Sequence, residues 1–150
     1  MLRLSRLTDY AVVVLVRLSA AEGVATSPWV AASIGIPEPT VAKVLKALAG
    51  QGLVTSTRGA HGGYRLGRPL NQIAISEVIT AIDGPIALTS CVDGASTCES
   101  HAVCPMAGRW DPVNDAIRDA LSNTTLADMA AASVRRVPRP PVTASFNEVA

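Results

Sequence analysis

Aromatic residues are scarce. Tyr10, Trp29, Tyr64, Trp110 and Phe146 are the only ones, 3% of a 150-residue chain. A core must therefore be built from Ala, Val, Leu and Ile, and a base-stacking platform for single-stranded nucleic acid is excluded. Long apolar runs are missing as well. The chain is 49% hydrophobic and its mean hydropathy is +0.31, yet its longest unbroken apolar stretch is Tyr10–Val16, which ends at Arg17. That stretch is far too short to cross a bilayer. The N-terminus shows no basic start, apolar run and small-residue cleavage site, so the expected location is cytoplasmic, with no membrane partner. No phosphate loop, cofactor fingerprint or nucleophile–base spacing occurs, and neither an enzyme nor a small-molecule substrate is expected.

An excess of one charge sign is also absent, since 13 basic residues face 12 acidic ones for a net of +1. The balance conceals a division. Residues 1–70 carry eight Lys and Arg against Asp9, Glu22 and Glu38, a net of +5. Residues 71–150 carry five Arg against nine acids, a net of −4. A basic half joined to an acidic half points to a polyanionic partner for the first. Cysteine is confined to Cys91, Cys98 and Cys104. An odd number in a cytosolic chain makes a poor disulfide framework and a plausible ligand set.

The periodicity predicts a first helix over 6–21, capped by Ser5, with Leu7, Tyr10, Ala11, Val14, Leu15 and Leu18 on one face. Ser27 can cap a short second helix with Pro28 at its first position, and Gly35 ends it. After the Ile36–Pro39 turn, a third helix from Pro39 turns Val41, Val44, Leu45 and Leu48 inward. Leu53–Thr57 and Tyr64–Leu66 read as strands around a glycine-rich turn. Two short helices, a brief turn and a basic hairpin form a winged helix-turn-helix. A helix over 75–82, capped by Ser76, precedes a cysteine loop of about 88–104. A helix over 105–121 carries Trp110, Val113, Ile117 and Leu121 at helical spacing, and a short last helix follows Asn123. The fold class is mainly α, with a small hairpin wing and a C-terminal dimerisation helix. The expected organisation is a DNA-binding domain at 1–70, a segment with the cysteine loop and dimerisation helix at 71–132, and a disordered tail at 133–150. Trp29 and Trp110 are expected to plug the core.

Thr40, Lys43 and Lys46 fall at three-residue steps opposite the apolar stripe of the third helix, where they can face a major groove. The bland alternative is a solvated helix face. Arg58, Arg65 and Arg68 frame the glycine turn, where a narrow loop can place arginine in a minor groove. His61 in the turn reads as a phosphate or base contact, or as merely solvent-exposed, rather than a ligand. Double-stranded DNA is therefore the expected partner. The spacing Cys-x6-Cys-x5-Cys is neither a zinc-finger nor a ferredoxin pattern. Three thiolates in a flexible loop can converge on a soft metal centre, with His101, Glu99, Asp93 or Asp9 as a fourth ligand. Zinc, an iron–sulfur cluster and uncoordinated thiols all remain open on spacing alone.

Three elements together resemble a known family. They are Leu4-Ser5-Arg6-Leu7-Thr8-Asp9-Tyr10-Ala11, the wing string Leu53–Leu66, and the three-cysteine loop. Over about residues 2–130 the chain resembles the IscR/NsrR-type winged-helix regulators. Ile36–Leu45, Asp83–Leu88 and Thr125–Met129 point to the branch that regulates the Suf iron–sulfur assembly system. The resemblance implies a homodimeric repressor or dual regulator on a palindromic operator. It implies a [2Fe–2S] or [4Fe–4S] cluster on Cys91, Cys98 and Cys104, with Arg58 in the minor groove. Some members place a histidine where Ala107 stands. Others use an acidic residue of the partner's first helix, the position of Asp9, which makes Asp9 the first candidate for the fourth ligand and His101 the second. At Ala42 the acidic residue that discriminates operators in some members is missing, so the operator sequence stays open.

Overall fold

The computed structural model describes residues 3–92, 99 and 101–131. Cys98 and the predicted tail at 133–150 lie outside the described residues. The elements run α1 (Arg6–Ser19), α2 (Ser27–Ile34), α3 (Glu38–Gly50), β1 (Val54–Thr57), β2 (Gly63–Leu66), α4 (Ile75–Asp83), α5 (Asp111–Ser122) and α6 (Leu126–Ala131), with single 3-10 turns at Leu70–Gln72 and His101–Val103. The mainly helical winged architecture is as read from the sequence. Among the described residues no helix is long and apolar enough to cross a membrane.

Ser5 caps α1, its hydroxyl accepting the Thr8 N–H at 3.1 Å. The apolar stripe then does what its spacing requires: Ala11, Val14, Leu15 and Leu18 are buried. They meet Val41, Val44, Leu45 and Leu48 of α3 and Ile75, Val78 and Ile79 of α4, in a core with no fully buried aromatic among the described residues. Short branched side chains let these helices lie close together, where dispersion and apolar burial hold them. Leu126 of α6 and Ile73 are fully buried in the same cluster. A backbone link secures them there, because Leu126 N–H donates to Ile73 O at 2.9 Å and Ile75 N–H to Thr124 O at 2.9 Å.

Several starts and seats differ from expectation. The hydroxyl that caps α2 belongs to Thr26, which accepts the Trp29 N–H at 3.4 Å, and Ser27 is the first helical residue. Pro is tolerated anywhere in the first turn, so Pro28 does not fix which neighbour is the cap. Helix α4 is capped at Ala74 instead of Ser76, and the Glu77 carboxylate accepts the Ala74 N–H at 3.0 Å. The helix expected from Pro105 begins only at Asp111. Gly108, at φ +73°, breaks residues 105–110 into turns, and Pro112 then sits in the first turn of α5. Neither tryptophan plugs the core. Trp29 is 43% exposed and Trp110 41%. Trp29 instead lies under the Arg17 guanidinium, 4.6 Å from the ring centroid, a cation–π contact.

Helix α5 is attached in an unexpected way. Its one buried side chain is Asn114, whose Oδ1 accepts the Leu88 N–H at 3.0 Å and whose Nδ2 donates to Ile86 O at 3.4 Å. Val113 is left 46% exposed. A polar clasp on the 86–88 backbone, α4 alongside and Leu121 against the core hold the helix, while Trp110 and Val113 at its start stay exposed.

One long-range bond closes the frame. Thr8 Oγ1 donates to Asp83 Oδ2 at 2.7 Å, and the Ser5 N–H reaches the same oxygen at 3.3 Å, tying the start of α1 to the end of α4. Burial pushes the Asp83 carboxyl up, but the donors of Ser5 and Thr8 outweigh it and hold it below its ordinary value.

Two outcomes follow. Leu45→Ala should lower the unfolding free energy by about 2–5 kcal/mol in urea titrations, because a fully buried side chain leaves a cavity. The lowered folded value of Asp83 means that its stabilisation is complete above about pH 4 and lost as pH falls through that value. The stability gap between wild type and Asp83→Asn should therefore be widest near neutrality and close in acid. A gap constant with pH would show that the carboxylate is not its source.

Candidate nucleic-acid interface and cysteine segment

Helix α3 presents its outer face because its inner one is fixed. With Val41, Val44, Leu45 and Leu48 in the core, Lys43 and Lys46 are exposed and Thr40 is half-buried near the first turn. These three are the sequence-predicted row, and helical geometry keeps them on one side.

The wing pairs antiparallel, with Thr55 opposite Arg65 and Thr57 opposite Gly63. Arg58, Gly59, Ala60 and His61 form its exposed tip. Arg65 is exposed on β2, and its Nε donates across the pair to Thr55 Oγ1 at 3.3 Å. The hairpin is pinned to the protein body rather than free. Ala25 N–H donates to Tyr64 O at 2.8 Å and Tyr64 N–H to Ala25 O at 2.7 Å, which adds a third strand-like segment beside β2. This approach is why Gly63 has no side chain: a Cβ there would lie 2.6 Å from Ala25 O.

Arg68 does not join Arg58 and Arg65 at the wing. It turns onto α4, where Nη2 meets Glu77 Oε1 at 2.6 Å and Nη1 donates to Gln72 O at 3.1 Å. Burial raises the Glu77 carboxyl, but the hydrogen bonds from Arg68 and Ala74, with the Arg68 charge, bring it below its ordinary value. Sequence reasoning missed this pair, the Ala25–Tyr64 pin and the Asp83 tie. Each joins residues that no local pattern connects.

Cys91 and Cys104 are half-buried at the two ends of the cysteine segment. Cys98 and Asp93 lie outside the described residues, Glu99 is exposed, and His101 opens the 3-10 turn. Asp9 is exposed in the first turn of α1, next to the Thr8 that holds Asp83. Among the described residues no group of three or more His, Cys, Asp or Glu gathers to hold a metal ion, so Asp9, Cys91 and Cys104 do not meet within one chain. The donor chemistry still suits a soft centre, since two half-buried thiols flank the segment that contains the third.

Residues 4–132 match the Rrf2 family, described as iron-dependent transcriptional regulators. The HTH-type transcriptional regulator IscR of Pectobacterium atrosepticum is 33% identical over 130 residues, covering 85% of this chain and 79% of its own. Among solved structures, CymR, the global cysteine regulator of B. subtilis, superposes with a TM-score of 0.65 at 26% identity, over 87% of this chain and 97% of its own. IscR of T. potens superposes with a TM-score of 0.62 at 27% identity, over 86% of each chain. With the helix-turn-helix, the pinned wing and the cysteine segment in place, the match over 4–132 means that this chain belongs to the Rrf2 family of transcriptional regulators.

Proposed function

We propose that the protein is a cytoplasmic, homodimeric repressor of iron–sulfur assembly genes, binding a palindromic operator under control of an iron–sulfur cluster. The observation that carries the DNA part is the exposed row of Lys43 and Lys46, with Thr40, on a helix whose other face is the core, packed against a wing with an arginine tip. Lys43, Lys46 and Thr40 read the major groove, Arg58 enters the minor groove, and His61 and Arg65 contact the backbone beside it. The dimer is supported by the start of α5, where Trp110 and Val113 are exposed, while Asn114, Leu121 and the Ser122–Ser76 hydrogen bond hold the helix to its own chain. A two-fold pair of such helices would set two reading heads one half-site apart.

Cys91, Cys98 and Cys104 would hold the cluster, [2Fe–2S] or [4Fe–4S], with the partner subunit's Asp9 or, failing that, His101 completing the set. The cluster would supply a ligation state that responds to cluster supply or oxidation. What this chain contributes is the connection: the cysteine segment follows α4, and Asp83 at the end of α4 holds Thr8, the neighbour of Asp9. Constraint on the cysteine segment therefore bears on α1, and α1 packs directly on α3. The two arrangements of the dimer would differ in wing spacing, and control is a shift between them.

A second reading is favoured by the likeness to the cysteine regulator CymR: cluster-free thiol sensing on the same fold. A zinc-stabilised cysteine segment belongs to the same alternative.

Arg58→Ala should weaken operator binding by about 1–3 kcal/mol at fixed salt. An unchanged gel shift would remove the wing from the interface. Anaerobically purified protein should be reddish-brown, and Cys98→Ala should abolish its visible absorbance and change operator affinity. A colourless protein carrying stoichiometric zinc, or one whose affinity is the same with and without cluster, would overturn the cluster-controlled switch and leave the alternative.

A further inference from the structure

A cavity of about 630 Å³ opens between the end of α3, α4, the segment after α4, and α5. That volume is in the range of small-molecule sites. Two opposite charges line it, Glu77 from α4 and Arg118 from α5. The Glu77 carboxylate is held in place by Arg68 and by the Ala74 N–H, which leaves lone pairs on both oxygens for a further donor. Arg118 makes no ion pair with any described residue. It is an exposed side chain on the wall of the cavity, with its five donors available. Thr80 Oγ1, also on the wall, donates to Ser76 O at 2.8 Å and keeps its acceptor capacity, and the Ser76 and Ser122 hydroxyls are hydrogen-bonded at 3.0 Å. Leu53 and Ile86 add apolar wall.

A gap left by loose packing would be lined by whatever the elements happened to expose. Here a guanidinium, a preorganised carboxylate and hydroxyls from separate helices face one space with aliphatic side chains. A guanidinium matches a carboxylate bidentately. A carboxylate on the same wall repels a second anion and attracts an ammonium, which disfavours phosphate and other dianions. We propose that this cavity binds a small zwitterion of the amino-acid class, its carboxylate on Arg118, its ammonium on Glu77 and Thr80, and its side chain against Leu53 and Ile86. Its lining holds none of the DNA or cluster residues, although Val92, next to Cys91, is on the wall, and the proposal does not rest on either reading.

The test is calorimetric titration of the full-length protein with each standard L-amino acid in turn, with amide chemical shifts to locate any binding. At least one amino acid should bind saturably and move the Gln51, Thr80 and Arg118 amides, while the corresponding decarboxylated amine binds more weakly. Arg118→Gln, on an exposed side chain, should leave the fold intact and weaken binding about tenfold or more, as expected for lost charge-assisted hydrogen bonds. Glu77→Gln should weaken the same amino acid in the same direction. No saturable binding by any amino acid, shifts confined to another surface, or binding unaltered in both variants would overturn the proposal.

Discussion

Close packing of α1 against α3 and α4 is the constraint from which the rest of the molecule follows. The side chains at that crossing are small and branched, Ala11, Val14 and Leu15 against Val44, Leu45, Val78 and their neighbours, all essentially inaccessible to water. A core of this kind has no large rings to absorb a shift, so the rotation of α3 about its own axis is strongly determined. Whatever α3 shows to the outside is therefore decided by what it buries. The chain's shortage of aromatics, which would weaken a protein that binds by stacking, suits one that must hold a short helix at a defined angle.

The frame also decides how the positive charge is used. Composition places eight basic residues in the first 70, as if all served one surface. Arg68 is paired to Glu77 and Arg17 lies over Trp29, so both are committed to internal contacts. Lys43, Lys46, Arg58 and Arg65 remain exposed on the helix and wing. The polyanion-facing surface is smaller and more sharply placed than the count of charges implied.

Much of this was legible because it is local. Ser5 capping α1, the inward residues of α3 and the hairpin around its glycines all follow from spacing and residue type within a few positions. The failures share another cause. Whether Thr26 or Ser27 caps α2 depends on how far Pro28 lies inside the helix, which the sequence leaves open. The late start of α5 came from Gly108, whose left-handed backbone outweighed an apolar period that ran through it. Trp29 and Trp110 read as core residues in the sequence, yet each stays more than two-fifths exposed while aliphatic side chains fill the core. Asp83 has partners up to 78 residues away and no pattern could have paired them. The cysteines were legible as a candidate ligand set, but spacing alone carries no ligand geometry, which is set only by the folded loop.

The Arg68–Glu77 pair has one more consequence. Arg68 follows directly from the wing and Glu77 belongs to α4, so a single ion pair joins the base of the hairpin to the helix that leads into the cysteine segment. Its two side chains are 39% and 40% exposed, within reach of dissolved ions, and such pairs contribute at most about 1 kcal/mol. Added salt therefore acts on this protein twice. It competes with arginine and lysine for a polyanion, as it does for any such protein. It also screens the Arg68–Glu77 pair, so the link between the segment after the wing and α4 loosens as ionic strength rises, while the backbone pin at Ala25 and Tyr64 does not depend on charge.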